Sequence, residues 1–272
     1  MEIKYIDVHS HLGFSDYGQD LNEVIQRMKD SGVATITVGT DLKSSKEAVR
    51  IANENENIWA CIGAHPHDTD NFVFNPESFE ELVKNPKVVA IGECGLDYAE
   101  PRGLDADKRR INQEEKERQK FEFTKQIEFA IKYNKPLMVH IRDAHDDAYE
   151  ILKKYPKARG NLHFFTGNYE LAKKFIESGF TVSFPGVITF PSTKLGTSTQ
   201  ELTEAIKNIP LDKIHVETDS PYAAPVPYRG KRNEPSYVIE VVKKIAEIRG
   251  ENFDVVQKQL LENSKNFFHI LT

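Results

Sequence analysis

His9 and His11 stand one residue apart at the end of an apolar run, a spacing that turns both imidazoles to the same side of a β-strand and lets them share one metal ion. Alone, such a pair is a weak signal, because two histidines also occur as a polar strand rim. Glu93 sits in Ile91-Gly92-Glu93-Cys94-Gly95-Leu96-Asp97, where flanking glycines allow close backbone approach around a carboxylate. Its two oxygens suit two cations; in a solvated loop it would be an ordinary acid or a helix N-cap. Asp97 is read as supporting a ligand. His140 and His163 each interrupt an apolar run, where an imidazole costs free energy unless something pairs with it. Asp219, in Glu217-Thr218-Asp219-Ser220-Pro221, either caps the turn that Pro221 enforces or joins these ligands.

Four imidazoles and two carboxylates, with no thiolate, suit Zn²⁺, Mn²⁺, Co²⁺ or Fe²⁺ and, given the carboxylates, Mg²⁺. Such a set exceeds one tetrahedral site and matches two cations about 3.5–4 Å apart, a pair that acidifies a shared water and stabilises charge on a phosphoryl or carbonyl oxygen. Asp219 is then the candidate to take the proton, and Glu93 the bridge. The basic run Tyr228-Arg229-Gly230-Lys231-Arg232-Asn233-Glu234-Pro235, with Arg142 just past His140, favours a phosphate ester over a neutral amide, because guanidinium forks match phosphate oxygens. A solvated charged loop is the plainer explanation of that run. Phe190, Tyr222 and Tyr228 are candidates for stacking on bases.

These side chains need elements that bring them together. Eight apolar, β-branched runs recur: Tyr5–Val8, Thr35–Val38, Ile58–Ile62, Val88–Ile91, Leu137–Ile141, Asn161–Phe165, Thr181–Phe184 and Ile214–Glu217. Segments of helical periodicity lie between them, such as Leu21-Val24-Ile25-Met28 and Phe123-Ile127-Ala130-Ile131. The alternation predicts one α/β domain over residues 1–272, a closed (β/α)₈ TIM-type barrel. An open doubly wound sheet is the runner-up, but no Gly-rich dinucleotide fingerprint follows the first strand. In a barrel the candidate ligands, with His65 after strand three, all gather at the C-terminal mouth. The charged segment Glu100–Arg118 and the loop Pro221–Pro235 lie over that mouth, and Gly250 divides a helical C-terminal stretch.

Composition narrows the classes. A net charge of −6 excludes a protein that grips long duplex by its overall field, so any nucleic-acid contact is local. Cys61 and Cys94 are too few for a disulfide framework. The sequence has no signal-peptide pattern and no membrane span, which reads as cytoplasmic.

Nearly end to end, the chain resembles the TatD family of metal-dependent deoxyribonucleases. The resemblance lies in Asp7-x-His9-x-His11, Gly63-Ala64-His65-Pro66, Gly92-Glu93-Cys94-Gly95-Leu96-Asp97-Tyr98, Pro136-x3-His140-x-Arg142, His163-x3-Gly167, Glu217-Thr218-Asp219-Ser220-Pro221-Tyr222 and Arg229-Gly230-Lys231-Arg232-Asn233-Glu234-Pro235. It implies that His9, His11 and Asp219 hold one metal, His140 and His163 another, and that Glu93 bridges them. His65 then faces the substrate phosphate or a third cation, while Arg142, Arg229, Lys231, Arg232 and Asn233 bind substrate. Glu93 stands where related amidohydrolases use a carboxylated lysine. The chain departs from the family at Gly13, where an acid is common, and at Phe164, where cysteine is usual; its 100–118 segment is longer.

The expected function is divalent-metal-dependent hydrolysis of DNA phosphodiesters, acting on single strands from an end, with two Zn, Mn or Mg ions and no obligate protein partner. Two rivals are a D-aminoacyl-tRNA deacylase using the same metals and a non-catalytic metal-binding scaffold.

Overall fold

The structure, a computed structural model, describes residues 1–67, 73–99, 111–191 and 199–270. Its eight strands are β1 (Tyr5–Ser10), β2 (Val33–Val38), β3 (Ile58–Ile62), β4 (Val88–Asp97), β5 (Leu137–Arg142), β6 (Gly160–Leu162), β7 (Phe180–Phe184) and β8 (Ile214–Val216). They pair in parallel in chain order from β1 to β8. Helices alternate with them: α1 (Leu21–Asp30), α2 (Leu42–Glu54), α3 (Pro76–Val83), α4 (Gln113–Lys132), α5 (His145–Leu152), α6 (Tyr169–Ile176) and α7 (Thr199–Asn208), with α8 (Val238–Arg249) and α9 (Phe253–Phe268) after β8. This is the (β/α)₈ barrel.

Local chemistry sets the helix starts. Asp41 and Ser44 form a capping box at α2, and the side chains of Asn75, Asn112, Asn168 and Asn252 accept from the first-turn N–H groups of α3, α4, α6 and α9. Gly250, at φ +64°, ends α8 in the left-handed conformation that glycine adopts without penalty. No helix among the described residues is long and apolar enough to cross a membrane.

The seam between β8 and β1 is made by residues of the candidate site itself. Asp219 N–H donates to the His9 carbonyl at 2.9 Å, and His11 N–H donates to the Ser220 carbonyl at 2.8 Å. Asp7 reinforces it from behind: its carboxylate accepts from the Thr218 N–H at 2.8 Å and from the Thr218 hydroxyl at 2.7 Å.

Ile6, Val8, Ala34, Ile36, Val38, Trp59, Cys61 and Met138 fill the barrel interior, with Phe268 and Ile270 of the tail packed on them. The helices bury their apolar faces on the other side of the strands, against Ile58, Ala60, Leu137 and Val139. Side-chain alternation along a regular β1 would therefore carry Ser10 inward with Ile6 and Val8, and turn His9 and His11 outward. A bulge prevents this. Between Asp7 and Ser10 the pairing with β2 slips, three steps on β1 facing two on β2, and the parity reverses. The same slip recurs on β4 between Ile91 and Cys94, where it brings Glu93 and Asp97 inward. The β4 bulge depends on glycine: at Gly92 (φ +150°) a Cβ would meet the Met138 carbonyl oxygen at 2.4 Å, and at Gly95 (φ +141°) the His140 carbonyl oxygen at 2.0 Å.

Two departures from the expected strand bounds bear on the site. β4 runs on to Asp97, because pairing with β5 resumes beyond the bulge. β6 ends at Leu162, so His163 lies one residue past it rather than within it; Phe164, at φ +50°, turns the chain away. Of the charged segment Glu100–Arg118, residues 100–110 lie outside the described residues, and Gln113 onward belongs to α4.

Candidate metal centre

Glu93 is the hub. Its Oε1 lies 2.8 Å from His163 Nε2, 2.9 Å from His140 Nδ1 and 3.4 Å from His65 Nε2. Its Oε2 faces the other way, 3.4 Å from His9 Nε2 and 3.7 Å from His11 Nε2. Asp219 Oδ1 completes the second group, 3.5 Å from His11 Nε2 and 3.8 Å from His9 Nε2. Groups able to hold an ion are thus His9, His11 and Asp219, then His9, Glu93 and His163, then His65, Glu93 and His140.

Partners behind the ligands set which nitrogens face inward. His11 Nδ1 donates to the Val38 carbonyl at 3.0 Å, which leaves Nε2 as a lone pair aimed at the centre. His140 Nε2 donates to Asp97 Oδ2 at 3.0 Å, so His140 presents Nδ1. Glu217 Oε1 stands 3.4 Å from His163 Nδ1 and also accepts from the Phe164 N–H at 2.7 Å. The inward nitrogens then crowd each other: His9 Nε2 and His11 Nε2 are 3.2 Å apart, and His140 Nδ1 and His163 Nε2 are 3.1 Å apart. Lone pairs facing at such distances repel unless a proton or a cation lies between them. The donor set, two carboxylates among imidazoles of which His11 and His140 have their far nitrogens engaged, fits divalent metal ions.

Electrostatics agree with an anionic hub. Burial drives the Glu93 carboxyl up, yet His163, His65 and His9 together hold it well below the usual carboxylate range. Burial, helped by His163, takes His9 down to about 3, so its imidazole is neutral and ready to ligate. At Asp97 burial is outweighed by His140 and His67, which keep the carboxylate ionised.

The remaining expected site residues divide. His65 lies at the centre. Arg142 ends β5 exposed, and Lys231 is exposed on the β8 loop. The Arg229 guanidinium lies over the Phe190 ring at 4.3 Å. Arg232 and Asn233, expected to bind substrate, have other uses in the structure. Arg232 forks onto Asp20 at 2.5 and 2.7 Å and onto the Asp16 carbonyl, latching the β8 loop to the β1 loop. Asn233 is buried, and its Nδ2 donates to the Thr218 and Tyr222 carbonyls at 2.9 and 2.6 Å. Tyr228, a stacking candidate, lies flat on Tyr237 at 3.8 Å.

Sequence reasoning left two supporting acids and a histidine without roles. Asp7 and Glu217 stood in the quoted motifs and as carboxylates inside apolar runs, a signal that some buried partner must exist. His67, bonded to Asp97 Oδ2 at 2.8 Å, carried no signal beyond its spacing from His65.

A closed parallel barrel with imidazoles and carboxylates converging at one mouth defines a metal-dependent hydrolase of the amidohydrolase-like kind. The TatD-related DNase family model matches residues 6–269, and the chain belongs to the TatD family. It is 38% identical to the uncharacterized metal-dependent hydrolase YabD of Bacillus subtilis over 97% of this chain and 98% of that one. It is 32% identical to the 3′-5′ ssDNA/RNA exonuclease TatD of Shigella flexneri, covering 97% and 98%. Among solved structures, the TatD homologue YjjV of Escherichia coli superposes with a TM-score of 0.86 at 26% identity, covering 99% of both chains.

Proposed function

We propose that this protein is a two-metal exonuclease that trims single-stranded DNA from its 3′ end. The observation that carries the reading is the division of Glu93, with one oxygen toward His140 and His163 and the other toward His9 and His11. Such a carboxylate would bridge two ions, the second group completed by Asp219. Bound divalent ions would supply Lewis acidity toward a phosphoryl oxygen and make water a nucleophile at neutral pH.

The chain's own residues do the rest. Asp219, with 14% of its side chain exposed, reaches solvent at the mouth and accepts the proton of the attacking water. His65 Nε2, aimed at the same space, donates to a non-bridging phosphate oxygen. Arg142, Arg229 and Lys231 neutralise flanking phosphates. The nuclease name of the Shigella relative supports the choice of substrate and polarity. We place the enzyme in the cytoplasm with its nucleic-acid substrate.

Purified protein is incubated with 5′-labelled single-stranded DNA, with and without Mn²⁺ or Mg²⁺, beside an Asp219→Ala variant. A ladder that shortens only with metal and only with Asp219 present is expected. Intact DNA under every condition sinks the reading; release of D-amino acid from charged tRNA by the same preparation would then assign the site to the deacylase.

A further inference from the structure

Tyr222 is an exposed aromatic at the mouth, 54% exposed, three residues after Asp219. Its position is fixed. Tyr222 N–H donates to the Asp219 carbonyl at 2.9 Å, and buried Asn233 grips the Tyr222 carbonyl at 2.6 Å together with that of Thr218. The ring stands edge-on to Phe14 at 6.4 Å and 66°. Phe14 in turn lies flat on His11, 4.5 Å away at 10°. A run of three rings thus leads outward from a candidate ligand imidazole to water.

A residue whose backbone is held at both its N–H and its carbonyl, yet whose ring is left half in solvent, contributes little to the hydrophobic core. It does offer a rigid, uncharged π-face. Burial, followed by the negative charges of Asp16, Asp219 and Glu93, pushes the Tyr222 hydroxyl above the usual phenol range, which keeps the ring neutral and marks how near it lies to the carboxylates. From His11 to Phe14 to Tyr222 the ring centres step by 4.5 and 6.4 Å, so the exposed face stands two ring contacts from a candidate ligand.

We propose that Tyr222, backed by Phe14, is the platform on which the nucleobase beside the scissile phosphate stacks, so that it sets the preference for unpaired ends. The inference rests on the nuclease reading and adds the residue that reads the base. Stacking needs an unpaired base, tolerates every base, and favours purines for their larger face.

The test compares 5′-labelled oligonucleotides whose last two 3′ nucleotides carry adenine or are abasic, and reads the ratio of kcat/KM within each enzyme. Because the ratio is internal, a smaller folded fraction in a variant cancels. Wild type is expected to favour the adenine-ended strand by about tenfold or more, the worth of one base–aromatic stack. Tyr222→Ala should bring the ratio close to one, while Tyr222→Phe and Tyr222→Trp should keep it. A Tyr222→Ala ratio equal to that of wild type overturns the platform, as does a loss of the ratio in Tyr222→Phe. Wild type that cuts both strands equally also overturns it and leaves the nuclease standing, whereas wild type that cuts neither strand removes the nuclease reading itself.

Discussion

Glu217 shows how a single side chain can tune a centre it does not enter. Its carboxylate accepts from the Ser183 hydroxyl and the Phe164 N–H, and one oxygen lies behind His163 Nδ1. Replacing it by glutamine removes the charge that aligns and polarises this imidazole. Glu217→Gln is expected to weaken metal affinity by about 10- to 100-fold, measured by Mn²⁺ titration calorimetry; unchanged affinity would assign Glu217 to packing alone. Glu93→Gln is the more severe change, because both groups share that residue. It should lower the number of bound Mn²⁺ ions per chain and cut kcat by about a thousandfold or more. A variant that still binds two ions with wild-type affinity would refute the bridge.

At the scale of elements, the bulges decide where the chemistry points. Gly95 lets β4 lie against the His140 backbone, so Gly95→Ala forces a Cβ into the carbonyl oxygen at a φ that alanine resists. A stability loss of about 3 kcal/mol or more is expected, read from urea unfolding. Metal affinity of the folded fraction should fall as well, since Glu93 shares the displaced segment. Wild-type stability in this variant would show that the bulge relaxes freely. A second element-level effect concerns the packing of α9 on β8. His215 is buried against Phe267 and Phe268, donates through Nδ1 to Ser264, and is driven by burial down to about 3. A histidine depressed in the folded state contributes stability that is complete above its unfolded value of 6.5 and is lost as the pH falls from there toward 3. His215→Asn keeps a donor for Ser264 without the titration. Its melting temperature should therefore fall less steeply than that of wild type between those limits, and parallel profiles would exclude His215 as a source of acid sensitivity.

For the whole molecule, metal and salt are the variables to change. Ions that bind only the folded barrel stabilise it by about 2.7 kcal/mol at a hundred times their Kd. Treatment with EDTA should accordingly lower the melting temperature by roughly 5 °C or more, and excess Mn²⁺ should restore it; a melting temperature indifferent to EDTA would argue against a site assembled by folding. Net charge is −6, and among the described residues Arg142, Arg229 and Lys231 are the exposed cations at the mouth, whereas Arg232 is held by Asp20. Binding of single strands to the metal-loaded protein should then depend on salt with a log–log slope of about −2. A slope several times steeper would point to a basic track away from the mouth.

Much of this protein was legible in its order of residues. Eight β-branched runs alternating with helical periodicity specify a parallel barrel, because strands apolar on both faces must be covered outside and filled inside. A barrel, in turn, gathers His9, His11, His65, Glu93, His140 and Asp219 at one rim, since each lies at or near the C-terminal end of a strand. The direction in which those side chains point was not legible. Alternation from Ile6 and Val8 assigns His9 and His11 to the helix-facing side, and only the slip of β1 against β2 turns them inward, a matter of pairing between strands that no single strand records. The fate of the basic loop was equally invisible. Arg229, Lys231, Arg232 and Asn233 are neighbours in sequence with similar chemistry, yet Arg232 and Asn233 are claimed by Asp20, Thr218 and Tyr222. Sequence sets which groups are present and which period they follow, while close packing across the barrel decides which of their hydrogen-bonding partners lie within reach.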